Sequence, residues 1–173
     1  MNARVLATER ARVSPQETIR DRGEDDRGAW CVAVIEILDH TADVGFEVSA
    51  STLEALFEEA RRALLMVVFE RPPESGAEER AVLLTAPDLE TLLVRWLNEL
   101  IYLTQDTGFV PARADVEIRE ADPMGHILEA RLAGATLRLE EYGWQGEIKS
   151  ATFHGLDVVF ENGAWRARVI LDV

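Results

Sequence analysis

The segment DHTADV, Asp39 to Val44, places Asp39, His40 and Asp43 close together between two apolar runs. Carboxylates and an imidazole in such a cluster can ligate a hard cation or move protons. They can equally make a turn, with Asp39 and His40 satisfying backbone donors at a strand end. A further carboxylate stands at the other end of the sequence. In WRARVILDV the side chains alternate, so Trp165, Ala167, Val169, Leu171 and Val173 share one face and Arg166, Arg168, Ile170 and Asp172 the other. If Val173 is the natural end, its α-carboxylate lies beside Asp172, and two like charges so placed need a neutralising cation. Arg166 or Arg168 is one source of that charge. A metal ion is the other, because Asp43 shares the polar face of its own strand with Gly45 and Glu47 and meets Asp172 if the two strands are neighbours. Hard oxygen donors of this kind suit Ca²⁺ or Mg²⁺, with water completing the shell, better than a soft metal.

Other chemistries lack their residues. His40 and His154 would suit zinc, but no HExxH spacing is present. The single cysteine, Cys31, permits neither an internal disulfide nor a cysteine-based zinc site, and at the head of an apolar run it reads as a small buried residue. There is no glycine-rich phosphate loop, no GxSxG elbow and no Cys and His pairing of catalytic spacing. The residues by themselves do not define an enzyme.

The elements that must position these groups follow from hydrophobic period. WCVAVIEIL from Trp30 reads as a buried strand, and Val44, Phe46, Val48 and Ala50 alternate as a half-buried one, so the DHTADV segment is a junction between strands. Ser51 to Phe69 switches to helical spacing, with Ser51 and Glu54 at capping-box separation. RPPESGAEER is a loop and AVLLTA a short strand. A second helix runs from about Asp88 to Gln105, its apolar stripe formed by Leu89, Leu92, Leu93, Trp96, Leu97, Leu100 and Ile101. Asp88 caps its start and Gly108 lies past its end. From Phe109 the sequence predicts strands only: ADVEIRE, HILEARLAG, TLRLEEY, EIKSATFHGLDVVFE and AWRARVILDV, the last two joined by an Asn162-Gly163 turn. The class is α+β, a single domain with two main helices packed on a largely antiparallel or mixed β-sheet. Residues 1–29 lack sustained periodicity and read as a disordered extension, leaving 30–173 as the folded domain.

At 173 residues the chain is long enough for one proper core. Its net charge of −14 argues against direct, tight binding of nucleic acid, which needs clustered cations. Of the 18 basic residues only Lys149 is a lysine. The longest apolar run, ALLMVVF, is far shorter than a membrane span, and the first residues carry charges where a signal peptide is apolar. A cytoplasmic protein without a membrane association is expected.

Five separated blocks, DHTADVGFEV, TLEALFEEARRALL, LLVRWLNELIYL, EIKSATFHGLDVV and WRARVILDV, together resemble the archease family over Ile35 to Val173. The resemblance implies an accessory protein, not a catalyst. Its partner would be the tRNA-splicing ligase RtcB, which joins a 2′,3′-cyclic phosphate or 3′-phosphate RNA end to a 5′-hydroxyl end using GTP and Mn²⁺, and it would promote guanylylation and repeated turnover of that ligase. It also implies a divalent metal site, with calcium as the metal and Mg²⁺ or Mn²⁺ as the other candidates, built from Asp43, Asp172 and the main-chain oxygen of Val173. Asp39 and His40 would form the shoulder of that site. Lys149 and His154 fall in the K-x-x-T-x-H stretch of the family, where Lys149 either contacts the ligase or a nucleotide phosphate or is an exposed strand cation. Two rival readings are a metal-dependent phosphohydrolase built on Asp39, His40, Asp43 and Asp172, and a general chaperone for RNA-processing proteins.

Overall fold

The computed structural model describes the backbone at residues 18–24 and 30–39 and, with side chains, residues 44–123 and 125–173. The element order is β1 (Thr18–Glu24), β2 (Trp30–Asp39), β3 (Val44–Ala50), α1 (Leu53–Val68), β4 (Glu78–Ala86), α2 (Leu89–Gln105), β5 (Phe109–Ala121), β6 (Gly125–Thr136), α3 (Leu139–Tyr142), β7 (Ser150–Glu161) and β8 (Ala164–Asp172). The strands form two antiparallel sheets, one ordered β1-β2-β3-β8-β7 and the other β4-β6-β5. One sheet was expected from the sequence and two are present. The division follows from the helices: α1 packs on β2, β3 and β8 of the first sheet and on β5 of the second, and α2 packs on β7 and on β4, β5 and β6. The helices are therefore a middle layer, apolar toward both sheets.

That layer explains why α1 and α2 are buried so widely. Leu56, Phe57, Ala60 and Leu64 of α1 and Leu92, Leu93, Trp96, Leu97 and Leu100 of α2 are all buried. Trp96 is core, as its spacing predicts, and its indole N–H donates to the Phe57 carbonyl at 3.0 Å, tying the two helices together. Arg61 falls on the same stripe, four residues after Phe57 and three before Leu64. It is buried, and its guanidinium grips both carboxylate oxygens of Glu58, at 2.7 and 2.6 Å, and the Pro111 carbonyl at 2.6 Å. Pro111 sits where the pairing of β5 with β6 shifts register, between Val110 and Arg113. A proline has no N–H for the ladder, so it belongs at such an irregularity, and the arginine satisfies the carbonyl left there.

Three local expectations change. The α1 cap is Thr52, whose side-chain oxygen accepts from the Ala55 N–H at 3.1 Å, and not Ser51. TLRLEEY is not a strand: Leu139–Tyr142 makes one turn of helix, and Gly143 ends it in the left-handed region. The sheet cannot continue there because Tyr142 folds back to place its ring edge-on to Phe69, 5.8 Å between centroids. Within residues 1–29, Thr18–Glu24 forms β1 along β2, with Ile19 opposite Ile35. Residues 1–17 and 25–29 lie outside the described residues, as does the side chain of Cys31. The Asn162-Gly163 turn is present as expected, both residues having positive φ, 53° and 82°.

Candidate cation site at the end of the last strand

The sheet order brings the end of the sequence beside an early strand. β8 is inserted between β3 and β7, so Val44 pairs with Leu171 and Gly45 with Ile170. The approach is close at Gly45, where an added Cβ would lie 2.6 Å from the Val169 carbonyl oxygen and 2.8 Å from an Ile170 methyl. Glycine is needed there for space. Asp39 ends β2 opposite Val44, so the backbone confirms that the DHTADV segment joins two strands. His40 and Asp43 lie outside the described residues, as does the Asp39 side chain.

On the other side of β8, Ser150 of β7 pairs with Asp172, and the Lys149 N–H donates to the Asp172 carbonyl at 2.8 Å. This seats the Lys149 side chain at the end of β8. Its Nζ donates to the main-chain oxygen of Val173 at 2.9 Å and stands 3.8 Å from Asp172 Oδ1. The sequence offered Arg166 or Arg168 as partner for Asp172; each is engaged elsewhere. Arg166 pairs with Glu161 at 2.7 Å, and Arg168 lies 3.7 Å from Glu47 across the β3–β8 ladder. Register decides this, since Arg166 and Arg168 sit opposite Val159 and Asp157 on β7, well back from the strand end, whereas Lys149 enters at the end itself.

The Lys149 backbone is fixed from behind by two amides of α2. Asn98 accepts from the Ala151 N–H at 2.9 Å and donates to the Ala151 carbonyl at 3.3 Å. Gln105 accepts from the Ile148 N–H at 2.9 Å and donates to the Ile148 carbonyl at 2.6 Å. Each amide thus pairs with the chain as a neighbouring strand would, once on either side of Lys149. Two turns of helix, about 10.5 Å, separate the two residues. Neither residue stands out in the sequence as part of a site. The available signal was two amides at i and i+7 beside an otherwise apolar stripe.

His154 is brought elsewhere. It lies in the irregular stretch of β7 between Thr152 and Asp157, exposed, with its N–H donating to Thr152 Oγ1 at 3.3 Å.

Asp172 and the Val173 oxygen are hard oxygen donors of the kind a divalent cation takes, and the positive charge that faces them in this structure is the Lys149 ammonium. The lysine contact is weak, because its side chain is 64% exposed and that of Asp172 56%, the regime in which an ion pair contributes about 0–1 kcal/mol. Among the described residues, no group of three His, Cys, Asp or Glu side chains converges. No helix among them is long and apolar enough to cross a membrane.

Two antiparallel sheets enclosing a pair of helices define an α+β class. The archease protein family model matches residues 35–173, and the chain belongs to that family. Protein archease of Methanosarcina mazei is 37% identical over 138 residues, covering 80% of this chain and 94% of the relative. Protein archease of Methanothermobacter thermautotrophicus is 36% identical over 139 residues, covering 80% and 97%. The solution structure of Methanobacterium thermoautotrophicum protein 1598 superposes with a TM-score of 0.68 at 35% identity, over 80% of this chain and 98% of that one. The crystal structure of an archease from Thermotoga maritima, described as a possible chaperone, shares the fold with a TM-score of 0.50 at 24% identity, over 79% and 94%.

Proposed function

We propose that the protein is a cytoplasmic accessory factor of the RNA ligase RtcB in tRNA splicing and RNA repair, promoting its GTP-dependent guanylylation and repeated turnover. The observation that carries this reading is the match to the archease family across residues 35–173, every described element from β3 onward included. The oxygen donors at the end of β8 support its metal-dependent part. Asp172 and the Val173 main-chain oxygen would hold the ion, with Asp43 as third ligand. Asp43 directly precedes Val44 in the sequence, and Val44 pairs with Leu171, the residue before Asp172. Ca²⁺ suits these donors best, with Mg²⁺ and Mn²⁺ as the other oxygen-seeking candidates. When bound, the ion supplies a fixed double positive charge able to attract oxygen ligands of a partner. The same proposal assigns Asp39 and His40, close to Asp43 in the sequence, to the shoulder of the site.

The test is GMP transfer to the cognate ligase with the accessory protein limiting. Wild type accelerates transfer, and Asp43→Ala and Asp172→Ala do not. Equal acceleration by the wild type and both variants would exclude the metal role. Phosphatase or nuclease turnover by the protein alone, lost in Asp43→Ala, would replace the proposal with a metal-dependent hydrolase.

A further inference from the structure

The Asp172 carboxylate and the Val173 oxygen at the end of β8 are faced by the ammonium of Lys149, and the fold has built this arrangement. Asn98 and Gln105 clamp the chain on both sides of the lysine, and the Lys149 N–H is itself bound to the Asp172 carbonyl. The side chain therefore starts from a fixed point and reaches both Asp172 and the Val173 oxygen. Arg166 and Arg168, the alternative cations on β8, are held by Glu161 and Glu47.

We infer that Lys149 is a built-in counter-ion of this site, which a divalent cation must displace in order to bind. This rests on the metal-binding part of the proposed function and deepens it: occupancy of the site is coupled to release of the lysine side chain. With the ion absent, the ammonium neutralises Asp172. With the ion present, Lys149 leaves the Val173 oxygen and its amine becomes available to an anionic group of a partner. A unit positive charge within about 4 Å opposes an incoming cation enough to weaken binding severalfold even under solvent screening. The effect is a threshold on the ion concentration at which the site fills.

Lys149 is the only lysine in the sequence, so lysine-selective isotope labelling gives one side-chain spin system to observe. The experiment titrates Ca²⁺ into the full chain and into Lys149→Met and Lys149→Arg, recording calorimetric affinity in all three and the lysine εCH₂ resonance in the wild type. The expected result is binding severalfold tighter in Lys149→Met, binding no tighter than wild type in Lys149→Arg, and a saturable shift of the lysine resonance with the calorimetric Kd. Saturable binding of equal or weaker affinity in Lys149→Met, with the lysine resonance unmoved, would overturn the counter-ion role and leave the metal site standing. Absence of Ca²⁺ binding in the wild type and in both variants would overturn both.

Discussion

Asp88 accepts from the Thr91 N–H at 2.7 Å at the start of α2, and its hydrogen bonds to the Thr91 side chain and backbone hold its carboxyl below the usual carboxylate range. A carboxyl whose folded pKa is depressed stabilises the fold fully above its unfolded value, about 3.9, and loses that contribution as pH falls through the folded one. Asp88→Ala is expected to cost about 1 kcal/mol at pH 7 and to flatten the acid limb of the stability profile below about pH 4, measured by urea unfolding at pH 7 and pH 3. Glu59 shows the opposite shift. Burial raises its pKa, opposed by the neighbouring Arg62, so the folded protein holds the proton more firmly and stability declines as pH rises through and above the ordinary carboxylate range. The Asp88 cap was legible in the sequence because a cap is a local pattern. The partner of Asp172 was not, because it depends on where β7 starts along β8, and only Lys149 enters at the strand end.

Elements show the same division between local and distant causes. The spans of α1 and α2 follow from apolar residues at helical spacing, and β3, β6 and β8 follow from alternation or dense apolar runs; these signals are contained within each segment. The split into two sheets is not contained in any segment, since it arises from both helices being apolar toward two sides. The turn of helix at Leu139–Tyr142 is hidden in the sequence for a related reason: its alternating residues have the period of a strand, and the Tyr142 contact with Phe69 is a distant one. Arg61 is the clearest link between elements, joining α1 to the irregularity of β5 at Pro111. Arg61→Ala would leave that carbonyl without its charged donor and the Glu58 carboxylate without its two-point partner. An expected loss of about 2–3 kcal/mol should appear as a lower urea midpoint with unchanged m-value. Lys at this position should restore little of it, because an ammonium cannot reproduce the planar fork.

At the scale of the whole molecule, the net charge of −14 favours encounter with a basic partner, and RNA-binding enzymes are basic where they meet phosphate. Such attraction acts mainly on association. The on-rate for the cognate ligase should therefore fall by about tenfold or more as ionic strength rises from about 0.05 to 0.5 M, with a much smaller change in the off-rate, measured by surface-immobilised kinetics. An on-rate independent of salt would mean that the acidic surface does not guide docking. The proposed function has a metal-dependent accessory protein sustaining a ligase through many cycles. Its most direct test is ligation of a 3′-phosphate RNA to a 5′-hydroxyl RNA by the cognate RtcB under substrate excess, with and without this protein. The expected result is a rise from about one turnover to many, lost in Asp43→Ala and Asp172→Ala; an unchanged turnover number with a ligase active in a single round would rule the proposal out.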